Sequence, residues 1–154
     1  MVVIVGVVVL SYATRTPVVQ PVATPPAALT SGQSMLPTKT ITIGNNSLTV
    51  EIASTPQEQQ DGLSGRSSLA EGTGMLFVFD PPMSEGFWMK DMLFSLDIIW
   101  ADASGTIVTV DQDLAPSTYP NVFRPSVLAR YVLEVPAGYT AAKGIAVGQK
   151  IVVQ

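Results

Sequence analysis

The chain has 154 residues, a net charge of −4 and an apolar content of 47%, and it contains no histidine and no cysteine. No disulfide can therefore form, and zinc sites built from thiolate or imidazole, Ser-His-Asp catalysis and Cys-His catalysis are excluded. The acidic balance and the lack of any basic run argue against nucleic-acid binding, which needs basic side chains to neutralise phosphates. We expect no nucleic-acid partner, no metal site and no cofactor.

The first ten residues, Met1–Leu10, are an unbroken apolar run, and the small residues Ser11 and Ala13 flank Tyr12 directly after it. A membrane-spanning helix needs about 20 apolar residues, whereas the apolar part of a signal peptide needs roughly 7–15. No basic residues precede the run, and a buried strand is an alternative interpretation. We expect residues 1–13 to be a hydrophobic signal peptide or membrane anchor, because the next segment separates them from any core.

Residues 14–38 carry five prolines, many Ser, Thr and Ala residues, and a single charge at Arg15. Such a segment cannot bury enough apolar surface to offset its ordering entropy, and it favours extended geometry. The prediction is a disordered linker. Together with the apolar N-terminus it indicates an exported protein, either membrane-anchored or periplasmic or extracellular, whose membrane contact is confined to the N-terminal segment.

Residues 39–154 form the predicted domain, in which seven basic and twelve acidic side chains give a net charge of −5. Thr40–Gly44 alternates polar and apolar residues, and Leu48–Ala53 follows after the turn residues Asn45 and Asn46, which predicts a β-hairpin. A short helix is expected next, because Thr55 is a favourable N-cap, Pro56 suits the first helical position, and Glu58 completes a capping box.

The middle of the domain carries two apolar runs. Met75–Phe79 is bounded by glycines and by Asp80-Pro81-Pro82, and its length and aromatic content favour a buried strand. From Phe94 to Trp100 every second residue is a large apolar one, which predicts a half-buried strand. Asp97 would point away from the apolar face of that strand, or into a polar cavity. A carboxylate at such a position could be a general base if it is partly buried, but a structural role, tied to Arg or to backbone N–H groups, is preferred.

The remaining sequence predicts further short strands, a surface loop and a second helix. These segments are a strand at Thr106–Val110 after a hairpin loop at Asp102–Gly105, a long surface loop at Asp111–Val127, a strand at Leu128–Val135, one or two helical turns at Ala137–Lys143 ended by Gly144, and a strand at Val147–Val153. Residues 39–154 are thus expected to form a single mainly β (α+β) domain. It would be a compact curled or barrel-like sheet of six to seven short strands with one or two short helices.

Several short motifs in this region resemble the bacterial and archaeal domain of unknown function 192, also termed uncharacterised protein family 0127. The motifs are Thr55–Glu58, Gly62-Leu63 with Arg66, Gly74–Phe79, Phe87–Lys90, Leu96–Ile98 and Arg130–Gly138, in the expected order. The chain departs from the family pattern at Asp91-Met92, where Asn-Thr is usual, and at Ser64-Gly65, where Met often follows Gly-Leu. The resemblance implies a compact β-rich fold and, in many members, export, but no established activity.

Four residues are the predicted ligand-binding set: Arg66, Trp88, Lys90 and Asp97. Trp88 can stack on a ligand ring and Lys90 can bind a carboxylate or phosphate. Alternatively, Trp88 belongs to the core and Lys90 pairs with Asp91 or Asp97. Arg66 can clamp an anion with two hydrogen bonds, or it can bond loop carbonyls or a carboxylate.

Three functions follow, and a binding module is preferred to an enzyme. The first is an extracytoplasmic or membrane-tethered binding or accessory module for a small polar ligand or saccharide. The second is a small hydrolase that uses Asp97, with Lys90 or Arg66 stabilising charge. The third is a protein–protein interaction domain without a small-molecule site, docking through Asp111–Val127 or a sheet edge.

Overall fold

The computed structural model describes residues 36–154. Their strands are β1 (Thr38–Ile43), β2 (Asn46–Ala53), β3 (Thr73–Met83), β4 (Leu96–Ala101), β5 (Ile107–Leu114), β6 (Ala129–Pro136) and β7 (Ile151–Val153). Two helices, α1 (Pro56–Asp61) and α2 (Tyr139–Lys143), and a 3₁₀ turn at Pro116–Thr118 complete the secondary structure of these residues. The predicted hydrophobic segment, residues 1–13, and all but the end of the predicted linker, residues 14–38, lie outside them.

The seven strands form one sheet in the order β5-β4-β6-β3-β2-β1-β7. Neighbouring strands are antiparallel except β2 and β3, whose parallel pairing leaves room for α1 in the connection between them. The sheet curls into a half-barrel, which confirms the predicted fold class. Between Leu36 and Gln154, no helix combines the length and apolar character that crossing a bilayer requires.

The curl brings the two edge strands together at one end. Thr106, just before β5, pairs with Lys150, just before β7. The backbone N–H of Ile107 donates to the carbonyl of Gln149 at 2.8 Å, and the N–H of Ile151 donates to the carbonyl of Gly105 at 2.9 Å. These bonds cover part of both edges, where unpaired backbone groups would otherwise invite association with other chains.

Each face of the sheet carries its own apolar cluster. The first includes Ile41, Ile99 and Leu133, and α2 packs against it through Tyr139. The second has the following buried members: Ala53, Leu63, Met75, Phe77, Met89, Met92, Leu96, Ile98, Trp100, Leu114, Ala129 and Val132. The sheet therefore separates two cores.

Strand β4 is buried on both faces, so the expected half-buried strand is wrong in that respect. The predicted alternation itself is correct, because Leu96, Ile98 and Trp100 belong to the second cluster while Ile99 belongs to the first. The face that was expected to be exposed is covered because Ile99 packs there in the first cluster, together with Ile41 and with Tyr139 of α2. The segment around Met89 and Met92 covers the other face.

Two predicted boundaries differ from the structure. Strand β3 continues through Pro81 and Pro82 to Met83; prolines are tolerated there because the pairing with β6 is interrupted between Val78 and Met83. Strand β5 continues to Leu114, which pairs with Leu96, so the first part of the predicted loop Asp111–Val127 is strand.

The predicted hairpin and both predicted helices are present. Strands β1 and β2 are joined by the two-residue turn Gly44-Asn45, one residue earlier than expected, and Gly44 supplies the positive φ of 57°. Helix α1 has the predicted capping box between Thr55 and Glu58. Helix α2 ends at Gly144, as expected.

Candidate functional site

A cleft of about 220 Å³ lies on the face of the sheet that carries the second apolar cluster. We call it the α1 cleft. Its lining comprises Gln59, Gln60, Asp61, Gly62, Leu63, Ser64, Phe77, Gly86, Phe87, Trp88, Lys90, Met92 and Glu134. One wall is therefore the end of α1 with its following loop, and the opposite wall is the segment Gly86–Met92.

The helical wall is fixed at both ends of α1. At the N-terminus, Glu58 accepts hydrogen bonds from the backbone N–H groups of Ser54 and Thr55, both at 2.8 Å, and these bonds lower the pKa of its carboxyl. Further along, the side-chain amide of Gln59 donates to the carbonyl of Val78 on β3 at 2.8 Å. The loop that follows is anchored by Leu63, which is 1% exposed.

The opposite wall is held by pairing with a second loop. Phe87 and Phe123 exchange two backbone hydrogen bonds of 2.9 and 2.8 Å. Gly86 allows this approach, because a Cβ atom there would lie 2.7 Å from the carbonyl oxygen of Phe123 and closer still to Val122. The ring of Phe87 also packs edge-to-face on Trp100, with centroids 5.2 Å apart. The two walls join where the N–H of Gly65 donates to the carbonyl of Asp91 at 2.9 Å.

Side chains of the segment Phe87–Lys90 alternate between core and solvent. Phe87 and Met89 face inward, and Met89 is only 2% exposed. Trp88 and Lys90 consequently face outward at the rim of the cleft. Trp88 is 56% exposed, so it is not a core residue, and its ring forms an edge-to-face pair with exposed Tyr119 at a centroid distance of 6.5 Å.

Lys90 makes no ion pair with any residue between Leu36 and Gln154. The alternative in which Lys90 pairs with Asp91 or Asp97 is therefore not what the structure contains. Its ammonium group stands at the cleft rim, where it remains available to a ligand.

Glu134 lines the floor of the α1 cleft and is only 6% exposed. It lies on β6 opposite Met75 of β3 and Ile98 of β4, both fully buried. Burial raises the pKa of the Glu134 carboxyl to about 8, and the positive charge of Arg66 offsets only part of this effect.

Arg66 lies outside the lining of the α1 cleft. Its guanidinium donates two hydrogen bonds to the Glu51 carboxylate, at 2.8 and 2.7 Å, and these bonds raise its pKa. Both residues line a neighbouring cavity of about 250 Å³. Among the interpretations open from the sequence, this is the structural one, in which Arg66 bonds a carboxylate. Its influence reaches the α1 cleft through its charge, which acts on Glu134.

Asp97 lies on the opposite face of the sheet from Glu134, because its partner on β6 is Val135 of the first cluster. It is fully buried, and its oxygens accept hydrogen bonds from the N–H groups of Asp113, Gly138 and Thr140 and from the Thr140 hydroxyl, at 2.6–3.1 Å. Three of these four donors are backbone N–H groups, so protein groups rather than a cavity surround the carboxylate.

The structure thus brings Trp88 and Lys90 together, leaves Arg66 beside the site, and separates Asp97 from it. Glu134 is the site residue that the sequence reasoning did not select. The signal for it was a lone carboxylate between Leu133 and Val135 on a strand that is otherwise mostly apolar. The described residues supply no side-chain hydrogen bond to it, and the guanidinium of Arg66, whose charge acts on it, bonds Glu51 instead.

No metal site is evident in the described part of the chain, where no three acidic side chains cluster closely enough to hold an ion.

The fold and the cleft define a β-rich domain with a small, partly polar pocket beside a short helix. Residues 39–153 match the DUF192 family, described as Uncharacterized ACR, and the chain belongs to this family, which confirms the resemblance seen in the sequence. No curated protein matches the chain.

Two solved structures share the fold. The "putative transcription regulator" of Sinorhizobium meliloti 1021 is 28% identical, with a TM-score of 0.74 over 79% of this chain and 98% of that one. A protein of unknown function from Novosphingobium aromaticivorans DSM 12444 is also 28% identical, with a TM-score of 0.73 over 84% of this chain and 93% of that one.

Proposed function

We propose that this domain is a binding or accessory module that takes a small polar ligand, or one unit of a saccharide, in the α1 cleft. The observation that carries the proposal is a cleft lined by exposed Trp88, by Lys90, which forms no ion pair within residues 36–154, and by the buried carboxyl of Glu134. The lining combines aromatic and aliphatic side chains with polar side chains from both walls, so it offers both a surface for stacking and several hydrogen-bonding groups to a polar ligand.

The size of the cleft limits the ligand. Its volume of about 220 Å³ is below the roughly 300–1,000 Å³ of sites for drug-sized molecules. A ligand of one ring, or one ring of a longer chain, is therefore the size that the cleft suits. The indole of Trp88 offers a flat surface for such a ring, because more than half of this side chain is exposed rather than packed in the core.

We place this module outside the cytoplasm, tethered or released by the N-terminal segment. The support is the apolar run Met1–Leu10 followed by the proline-rich segment of residues 14–38. Fractionation of cells that produce the full-length chain tests this location. Recovery in the cytosolic fraction alone would contradict it.

The hydrolase alternative that uses Asp97 draws no support from the site geometry. All four donors around Asp97 are protein groups, and its face of the sheet is not the one that carries the α1 cleft. Docking through the loop that follows β5 is the third candidate. It predicts that substitutions at Tyr119, rather than inside the cleft, would abolish partner binding.

Ligand binding is tested by thermal denaturation of the full-length chain with sugars, carboxylates, phosphates and amines. A ligand at 100 times its dissociation constant stabilises by roughly 2.7 kcal/mol, which is readily measured. We expect at least one compound to raise the melting temperature, and we expect Trp88→Ala and Lys90→Ala to abolish that shift without lowering the melting temperature of the free protein.

Two control substitutions change side chains that are exposed, as Trp88 and Lys90 are, but that lie outside the cleft lining. Leu93→Ala removes an apolar side chain that is 64% exposed, and Lys39→Ala removes an exposed ammonium group. Both controls should retain the ligand-induced shift. The absence of any stabilising compound, or a shift that survives both cleft substitutions, would contradict the proposal.

A further inference from the structure

The most buried polar side chain in the lining of the α1 cleft is that of Glu134. Adjacent strands on both sides of it contribute Met75 and Ile98 at the same level, and neither of these side chains can form a strong hydrogen bond. Glu134 is 6% exposed and lines the cleft, so a ligand in the cleft can reach its carboxyl.

This carboxyl receives no hydrogen bond from a side chain or backbone group of residues 36–154. Arg66, the cation whose charge acts on Glu134, directs two of its N–H groups to Glu51 instead. Among residues 36–154 the fully enclosed side-chain atom without a partner is Nε of Arg130, so the oxygens of Glu134 are not enclosed and open onto the cleft that this residue lines. A ligand group in the cleft would supply the hydrogen-bond partner that the protein does not.

Two exposed charged side chains line the same cleft as Glu134: Asp61 at the end of α1 and Lys90 on the opposite wall. A third, Arg66, lies in the loop after α1 and is paired with Glu51 of β2. Loss of solvation outweighs the attraction of Arg66 and raises the pKa of Glu134 to about 8. At neutral pH the carboxyl is therefore mainly protonated, and in that form it donates one hydrogen bond and accepts others.

The two charged groups at the rim have opposite signs. A cationic ligand would meet Lys90, and an anionic ligand would meet Asp61, so neither sign gains a net attraction at the cleft mouth. A neutral ligand with hydroxyl groups avoids both penalties, since hydroxyls donate to Asp61 and accept from Lys90 and from a protonated carboxyl.

Resting on the function proposed above, we propose that the α1 cleft selects neutral saccharides, with one sugar ring stacked on Trp88 and one hydroxyl oxygen accepting a hydrogen bond from the carboxylic acid of Glu134. No bond to carbon forms or breaks in this proposal. Glu134 serves as the group that reads the hydroxyl at the bottom of the cleft.

The test is isothermal titration calorimetry of the full-length chain at pH 6 and pH 9. Cellotetraose, chitotetraose and maltotetraose are the neutral probes, and choline and succinate are the charged ones. If only the protonated form of Glu134 binds, a neutral probe should bind roughly tenfold more weakly at pH 9, because about a tenth of the sites remain competent.

Two variants separate donation by Glu134 from a structural role. Glu134→Gln keeps a hydrogen-bond donor and cannot ionise, so its affinity should change by less than about twofold between the two pH values. Glu134→Met fills the same space with an apolar side chain among apolar neighbours, so it should fold with an undiminished melting temperature yet bind at least tenfold more weakly at pH 6.

The outcomes distinguish this inference from the proposed function. If only choline or succinate binds, or if a saccharide binds Glu134→Met as tightly as the wild type, the selection by Glu134 is overturned while the cleft remains a binding site. If no probe binds at either pH, the proposed function falls together with the inference.

Discussion

Burial withdraws the Glu134 carboxyl from water, and this single side chain makes the stability of the fold depend on pH. Its pKa of about 8 in the folded protein lies above the ordinary value of 4.5 that it takes in the unfolded chain. Between these values the folded state binds a proton that the unfolded state lacks. Stability therefore falls as pH rises through this interval. Outside the interval, the ionisation of Glu134 does not change stability with pH.

We expect the free energy of unfolding of the ligand-free wild type to decrease between pH 5 and pH 8, by up to about 1.4 kcal/mol per pH unit. Glu134→Gln should remove most of this slope and should be the more stable protein at pH 8. Urea denaturation at several pH values measures both. Glu58 and Asp102 have lowered pKa values, so their contributions are lost only in more acidic solution and do not disturb this interval.

Parallel curves for the wild type and Glu134→Gln would show that the carboxyl is ionised in the folded protein. In that case the cleft floor is anionic, and the saccharide selection argued above would lose its hydrogen-bond donor.

At the scale of elements, Asp97 joins three parts of the fold. It belongs to β4, and it accepts hydrogen bonds from the end of β5 through Asp113 and from the start of α2 through Gly138 and Thr140. Four donors converge on a carboxylate that is fully buried. Because helix α2 has only five residues, it depends on such tertiary contacts rather than on its own hydrogen bonds.

Asp97→Asn should lower the free energy of unfolding by roughly 2–3 kcal/mol, because the NH2 group that replaces one carboxylate oxygen cannot accept a hydrogen bond and leaves at least one buried N–H unpaired. Asp111→Asn is the matched control. Asp111 accepts one hydrogen bond from the Trp100 indole, and an asparagine oxygen can retain it, so we expect a loss below about 1 kcal/mol. Chemical denaturation of both variants measures the difference.

The same variant also tests the sequence-based assignment of Asp97 to the ligand site. If Asp97→Asn remains folded and retains the Trp88-dependent ligand shift, its role is structural. A folded Asp97→Asn protein that no longer binds would restore Asp97 to the ligand set.

At the scale of the whole molecule, local patterns predicted most of the sheet. Alternation along Phe94–Trp100 and the capping box at Thr55 depend on neighbours in sequence, and both are present. Which strands become adjacent depends on contacts between distant residues. The burial of β4 on both faces and the pairing of Leu96 with Leu114 were therefore not predictable from periodicity.

The site shows the same limit. Alternation within Phe87–Lys90 is local, and it explains why Trp88 and Lys90 emerge together at one rim. Glu134 joins them because β6 inserts between β3 and β4, a topology that no short motif encodes. Asp97 faces the other side of the sheet. Of the four predicted ligand-binding residues, only Trp88 and Lys90 therefore line the α1 cleft.

The closure of the sheet depends on the contact between β5 and β7. Gly105 has a φ of +80°, and a Cβ atom there would lie 2.6 Å from the carbonyl oxygen of Ile151. Alanine at this position would add steric overlap to backbone strain and push β7 away from the start of β5. Gly44 provides a control with positive φ, since nothing lies within 4 Å of a Cβ atom at that turn.

We expect Gly44→Ala to cost about 1–2 kcal/mol, the price of the left-handed conformation alone, and Gly105→Ala to cost at least about 1 kcal/mol more. Hydrogen exchange of the Ile107 and Ile151 amides, whose bonds close the sheet, should accelerate in Gly105→Ala relative to Gly44→Ala after both are matched for global stability. Equal losses with unchanged local exchange would mean that the edges close without these bonds. The half-barrel would then be maintained by its two apolar clusters, and the edge contact would be a consequence of the curl rather than one of its causes.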